Sequence, residues 1–267
     1  MTTIAICGVA GRMGQRLASL IQESDDLELV GGTEYSGHQA IGQDIGALIG
    51  VPATGCPVVD DLAQALDRAQ LAIAFTTPQA TLADAALCAE RGIAMVVGTT
   101  GMDAAQLDQF HRTVEPIPCV FAPNFSTAMN VLFKLVQEAA AILGDEYDVE
   151  VIEAHHRFKV DAPSGSALRL AESAAAGLER NLDDVVVHGR QGVVGARTTQ
   201  EIGMHAIRAG DLAGDHTVLY GAPGEYLELR HHATSRDAFA LGALRAARFA
   251  AQAKPGLYDM GDVLGLK

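Results

Sequence analysis

Gly8-Val9-Ala10-Gly11-Arg12-Met13-Gly14 is the stretch on which the reading of the fold turns. It follows the apolar run Ile4 to Cys7 at once and opens a helical pattern from Arg12 to Gln22, so strand, glycine turn and helix start are consecutive. In that context Gly8 permits a tight turn, Gly11 lets backbone approach a pyrophosphate, and Gly14 allows close helix-to-strand packing, with N–H groups and the helix dipole facing the phosphates. The spacing is GxxGxxG, a variant of the common GxGxxG. Twenty residues past Gly14, Glu34 stands at the end of the next apolar run, where a carboxylate can accept from ribose hydroxyls. Tyr35 and Ser36 follow, and neither offers the positive charge that a ribose 2′-phosphate beside Glu34 would need. NADH is therefore the expected cofactor, with NADPH left open through Arg12.

Outward from this loop, the first 125 residues repeat one rhythm. Apolar runs at Leu29 to Gly32, Leu71 to Phe75, Ala94 to Val97 and Cys119 to Ala122 alternate with helical patterns at Asp61 to Ala69, Gln79 to Arg91 and Asp103 to Val114. Alternating strands and helices imply an α/β unit with a Rossmann-type parallel sheet. Open sheets of this kind bind ligands at the carboxyl ends of strands, which marks Phe75-Thr76, Gly98-Thr99-Thr100-Gly101 and Ala122-Pro123-Asn124-Phe125 as candidates. Beyond residue 127 the pattern changes. A helix from Ala128 to Leu143 leads to a two-faced strand at Tyr147 to Ala154. A second helix spans Ser166 to Arg180, and strands follow at Val185 to His188, Ile202 to Arg208, His216 to Tyr220 and Glu225 to His231. This predicts an α+β domain with a mixed, more antiparallel sheet over 127–236. A final helix from Ser235 to Ala253 and a tail stopped by Pro and Gly pack back on the dinucleotide-binding domain, 1–126 with 237–267.

The 267 residues carry 19 Lys and Arg against 33 Asp and Glu, a net charge of −14, which argues against nucleic acid or an anionic membrane as partner. Hydrophobic residues make up 49%, enough for a globular core. No basic segment leads into an apolar signal core and no long uncharged apolar run occurs, so a cytoplasmic protein is expected. Cys7, Cys56, Cys88 and Cys119 are far apart and read as reduced, buried and free of metal.

The densest chemistry is Glu153-Ala154-His155-His156-Arg157-Phe158-Lys159-Val160-Asp161-Ala162-Pro163-Ser164-Gly165-Ser166. If the strand continues through it, His155 and His156 point to opposite faces, which argues against a shared metal. His155 and Lys159 suit proton transfer, and Ser164-Gly165-Ser166 starts a helix whose N–H groups can hold a carboxylate. The competing reading is a solvated basic loop. Between His155 and Arg169, Arg157, Lys159 and Arg169 outnumber Asp161, a local positive balance within an acidic chain. Arg236 is a weaker candidate for a carboxylate contact.

With GxxGRMG, GTTG, APNFS and EAHHRxKxDAPSGSA together, the chain resembles the 4-hydroxy-tetrahydrodipicolinate reductase family over its whole length. The likeness extends to Ile207-Arg208-Ala209-Gly210-Asp211, Gly214-Asp215-His216-Thr217 and Gly256-Leu257-Tyr258-Asp259-Met260. The resemblance implies reduction of a cyclic, unsaturated dicarboxylate on the diaminopimelate route to lysine, by a homotetramer assembled through the sheet of the second domain. It puts the catalytic proton-transfer groups on His155 and Lys159, and substrate binding on His156, Lys159, Gly165 and Ser166. Gly8, Val9, Ala10, Gly11, Arg12, Met13, Glu34, Gly98, Thr99, Thr100, Ala122, Pro123, Asn124 and Phe125 match cofactor-binding positions, with no metal. In many members an Arg follows the ribose-binding acid, and Tyr35 departs from that pattern. A related NAD(P)-dependent amino-acid or imino-acid dehydrogenase and a non-enzymatic NAD-sensing regulator remain the alternatives.

Overall fold

A computed structural model describes all residues 1–267. In chain order the elements are β1 (Thr2–Cys7), α1 (Arg12–Gln22), β2 (Leu27–Thr33), α2 (Ile45–Ile49), β3 (Val58–Val59), α3 (Leu62–Ala65), β4 (Leu71–Ala74), α4 (Pro78–Arg91), β5 (Ala94–Val97), α5 (Ala104–Val114) and β6 (Pro118–Phe121). There follow α6 (Thr127–Leu143), β7 (Asp148–His155), α7 (Gly165–Gly177), α8 (Leu182–Val185), β8 (Val186–His188), β9 (Ile202–Arg208), β10 (Asp215–Ala222), β11 (Glu225–His232), α9 (Asp237–Ala250), β12 (Gly256–Tyr258) and α10 (Met260–Leu264). The chain divides into one unit of Met1–Thr127 with Asp237–Lys267 and another of Ala128–Arg236.

The first unit is a seven-stranded, wholly parallel sheet in the order β12-β6-β5-β4-β1-β2-β3. Its central strands β4 and β5 are apolar throughout and buried at every position, as a sheet covered on both faces requires. Alternate side chains feed two separate cores. Ile4, Ile6, Ile73, Val96 and Val120 pack with α1 and α9, while Ala5, Cys7, Ala72, Met95 and Cys119 pack with α4 and α5. All four cysteines are free and buried, as expected.

Four elements of this unit depart from the sequence reading. The third helix is a single turn, Leu62–Ala65, capped by Asp61. β3 and α2 were not anticipated, because two- and five-residue elements leave no periodicity to read. The tail supplies a seventh strand: Gly256, Leu257 and Tyr258 pair in parallel with Pro118, Cys119 and Val120. Pro255 before it reads as a stop, and only the non-local partner β6 makes these residues a strand.

The second unit holds a five-stranded sheet in the order β11-β10-β7-β9-β8. β10 runs antiparallel to β11 and β7, whereas β9 runs parallel to β7 and β8, so the sheet is mixed with as many parallel as antiparallel pairings. This is the mixed sheet expected from the sequence, with its antiparallel pairings confined to β10. On β7, the alternation that buries Val149 and Val151 against α6 and α7 also carries Glu153 and His155 to the same inner face. No helix is long and apolar enough to cross a membrane.

Candidate functional site

In the first unit the glycine loop has the geometry its spacing implies. Gly8 adopts φ +76°, open to glycine at little cost. A Cβ on Gly14 would lie 2.2 Å from the Gly8 carbonyl oxygen and 2.7 Å from Val9 Cα, so only glycine lets α1 sit this close to β1. The loop's own N–H groups are turned inward. Those of Gly8 and Val9 donate to Thr33 O at 2.9 and 3.0 Å, and that of Gly11 to Gly8 O at 3.1 Å. Ala10 N–H donates to Glu34 Oε1 at 2.9 Å. Glu34 thus braces the loop as well as marking the end of β2. The amides left to face an anion are those of Arg12, Met13 and Gly14, at the start of a helix whose N-cap Gly11 makes no side-chain cap bond.

A cavity of about 470 Å³ opens beside this loop, walled by Gly8, Gly11, Glu34, Tyr35, Asp60, Thr76 and Asp84. Burial pushes the Asp84 carboxyl up to about 6, against the opposing hydrogen bond from the Cys7 thiol. Three carboxylates and no basic side chain line the space. The remaining expected cofactor residues lie at neighbouring strand ends, and several of their side chains are committed elsewhere. Thr99 is buried, with its hydroxyl 2.6 Å from that of Thr81 and accepting from Thr76 N–H at 3.2 Å. Val9, Ala122 and Phe125 are packed in the core, and Gly98 is pressed against the Phe75 ring. What these positions offer a ligand is backbone; Pro123 and Thr100 are exposed, and Asn124 Oδ1 accepts from Ser126 N–H at 2.8 Å. The glycine cradle, the open amides at the start of α1 and the adjoining cavity together fit a dinucleotide.

In the second unit β7 ends at His155, so His156 lies in a turn and the question of opposite strand faces does not arise. The turn is fastened to the segment after β9. His156 N–H donates to Leu212 O at 2.8 Å, Arg157 N–H to Gly210 O at 3.1 Å, and Ala209 N–H to His155 O at 2.9 Å. The His-rich and IRAGD motifs are therefore two sides of one structure. Lys159 Nζ rests on Asp161 Oδ1 at 2.8 Å, and Arg169 on Glu172 at 3.1 Å, so the positive balance counted from the sequence is largely internally paired. The Lys159 ammonium in turn holds the Asp161 carboxyl below its usual range. Arg236 is exposed ahead of α9 and joins no ion pair.

His155 is buried with its Nδ1 2.6 Å from Glu153 Oε2. Glu153 is fully buried and receives Arg208 through both terminal nitrogens at 2.8 and 2.9 Å, and Ser164 N–H at 3.1 Å. Burial alone would raise this carboxyl; the Arg208 and His155 hydrogen bonds outweigh it and hold Glu153 below its ordinary value. Ser164 caps α7, accepting from Ala167 N–H at 3.1 Å, while its hydroxyl lies 3.1 Å from His216 Nε2. Gly165 and Ser166 thus occupy the first turn of a helix anchored directly to the histidine strand. His216 is lowered to about 4, chiefly by burial and then by the neighbouring His155 and His231. The contributions of Arg208 and His216 were not legible as chemistry; their one signal was their place in the IRAGD and GDHT segments. No group of three or more His, Cys, Asp or Glu is placed to hold a metal ion.

Residues 2–125 match the family described as "Dihydrodipicolinate reductase, N-terminus", and residues 128–264 match "Dihydrodipicolinate reductase, C-terminus". Among similar proteins, the 4-hydroxy-tetrahydrodipicolinate reductase of Syntrophobacter fumaroxidans is 49% identical over 267 residues, covering 100% of both chains. That of Magnetococcus marinus is 48% identical, covering 99% of this chain and 98% of the relative. A solved structure, a dipicolinate-bound dihydrodipicolinate reductase from Paenisporosarcina sp., superposes with a TM-score of 0.77 at 28% identity, covering 97% of each chain. An amine dehydrogenase from Mycobacterium smegmatis, at 14% identity and a TM-score of 0.59, shares the fold alone. With a glycine loop built for a dinucleotide and a His-Lys loop joined to a helix start, and with both halves matched, the chain belongs to the dihydrodipicolinate reductase family of NAD(P)H-dependent oxidoreductases.

Proposed function

We propose that this enzyme reduces 4-hydroxy-tetrahydrodipicolinate, by way of dihydrodipicolinate, to tetrahydrodipicolinate on the diaminopimelate route to lysine. The observation that carries the reading is the loop from His155 to Ser166, in which a buried imidazole and the start of α7 are held together by Glu153 and Lys159 lies on the connecting turn, in the half of the chain that matches the reductase C-terminus. The relatives' shared name over the full length favours it over an amino-acid dehydrogenase or a regulator.

The first unit would hold the nicotinamide cofactor on the Arg12, Met13 and Gly14 amides, with Gly8, Val9, Ala10 and Gly11 shaping the cradle and Glu34 meeting the ribose. Gly98 to Thr100 and Ala122 to Phe125 would border it with backbone. The bound cofactor supplies hydride. The acidic walls at Glu34, Asp60 and Asp84, with Tyr35 where a base would be needed, support NADH over NADPH. In the second unit, reduction of a conjugated imine leaves electron density that a proton must quench. Lys159 would donate it, with His155 as relay. A substrate carboxylate would exchange with Asp161 for Lys159, while His156 and the first turn of α7 at Gly165 and Ser166 receive the carboxylates. Four free cysteines fit a reducing cytoplasm. Exposed Ile207, Tyr226 and Leu227 on its strands support a homotetramer built through the second sheet.

Oxidation of NADH, with substrate generated from pyruvate and aspartate semialdehyde, tests the reading directly. Turnover only with both precursors is expected; none would refute it. An NADPH preference above roughly tenfold would refute the cofactor assignment.

A further inference from the structure

We propose that Glu153 is a positioning residue that fixes the tautomer of His155 and ties that imidazole to the carboxylate-receiving end of α7. The inference rests on the proton-transfer role read for His155 above. Glu153 receives four hydrogen bonds: from His155 Nδ1, from both Arg208 terminal nitrogens, and from Ser164 N–H. A carboxylate paired in this way is ionised and acts only as an acceptor, so the proton between it and His155 belongs to Nδ1. Nε2, which no protein group engages, is then the nitrogen able to exchange a proton with substrate. A Cβ on Gly214 would lie 3.0 Å from that nitrogen, and glycine there keeps its approach open.

A purely structural account explains this arrangement poorly. Glu153 is a charge with no exposed surface, and a buried ion pair is commonly no better for stability than well-packed apolar side chains of the same volume. The apolar alternative is already in use on this face, since Val149 and Val151 precede Glu153 at the same parity. What an apolar side chain cannot do is hold an imidazole by one nitrogen and a helix start by its amide. Both oxygens do this at once: Oε2 takes His155, and Oε1 takes Ser164, one residue ahead of Gly165. The charged and titratable groups facing the pair are Arg208 on β9 and His216 on β10; behind them His231 on β11 packs on His216, and the loop carrying the Lys159–Asp161 pair is tied to Arg208 through the Asp161 carbonyl. Only Arg208 and His155 hydrogen-bond the carboxylate through a side chain.

The test is a double-mutant cycle of Glu153→Gln and His155→Ala in the full-length enzyme, with kcat, substrate KM and NADH Kd measured for each. Glu153→Gln is expected to lower kcat on the order of 10- to 100-fold, with Kd for NADH within about twofold. In the His155→Ala background the same change should cost less than about twofold, because a residue acting through His155 has nothing left to act on. Equal losses in both backgrounds, or no loss in either, would overturn the proposal. If His155→Ala alone retains wild-type turnover, the proton-transfer reading fails, and it fails visibly in that arm. Should Glu153→Gln not fold, nitrogen-15 NMR of the histidine-labelled wild-type enzyme decides: a proton on His155 Nδ1 is expected, and a ring protonated at Nε2 alone would overturn the assignment.

Discussion

The two units build their sites from different materials. The first uses backbone: a glycine at positive φ, a glycine where no Cβ fits, and amides at a helix start. The second relies on side chains: His155 on β7 and Arg208 on β9 meet one buried carboxylate, which the Ser164 cap of α7 also reaches by its amide, and His216 on β10 bonds the Ser164 hydroxyl. Backbone geometry is written in adjacent residues, whereas a side-chain network depends on which strands become neighbours. The first kind of site is also sensitive to added volume and the second to lost charge.

The sharpest way to break this contrast is Gly14→Ala. Its Cβ would sit inside contact distance of the Gly8 carbonyl and the Val9 backbone, so the helix must move away. A loss of more than about 3 kcal/mol in stability and of measurable NADH binding is expected, by denaturant melts and titration. Retained binding would show that the loop tolerates volume.

Two titratable groups, one in each unit, should respond to acid with opposite sign. Asp84 is raised from its ordinary 3.8 to about 6, so its contribution to stability is complete below 3.8 and is lost as pH rises through 6. Asp84→Asn should therefore be more stable than wild type at pH 7, by about 3 kcal/mol. His216 is lowered from 6.5 to about 4, and between these values the unfolded chain takes up a proton that the folded chain refuses. Wild type should lose about 3 kcal/mol more than His216→Asn as pH falls from 6.5 to 4. Parallel pH slopes in the two variants would refute the distinction.

Lys159→Ala should lower turnover roughly a hundredfold, about 2.7 kcal/mol, with NADH affinity nearly intact. A matching loss of cofactor affinity would contradict it. The smallest effect is expected from Tyr35→Arg, which places a base beside Glu34 and should improve NADPH affinity about tenfold relative to NADH. Titration of both cofactors checks this.

What was legible in the sequence follows the same division. The turn at Gly8 and the close packing at Gly14 could be read because strand, turn and helix are contiguous, whereas the bond from Ala10 N–H to Glu34 spans 24 residues and could not; apolar runs located β1, β4, β5 and β6 well. Glu153 was visible as a letter in a motif, yet nothing local linked it to Arg208, 55 residues away. A net balance set Asp161 against three basic residues without saying which it pairs with, because its ion pair with Lys159 depends on how the turn folds. β12 escaped for the same reason as the network: its partner lies far back in the chain.

That last strand bears on synthesis. Until Gly256 to Tyr258 leave the ribosome, β6 presents an unpaired edge, and until α9 emerges the face carrying Ile4, Ile6 and Val120 has no cover from that side. The second unit, although begun later, has all its residues out by Arg236. The nascent chain therefore completes its later-encoded unit first and its parallel-sheet unit last. A premature stop ahead of Gly256 would strand the earlier-made half with an open, aggregation-prone border.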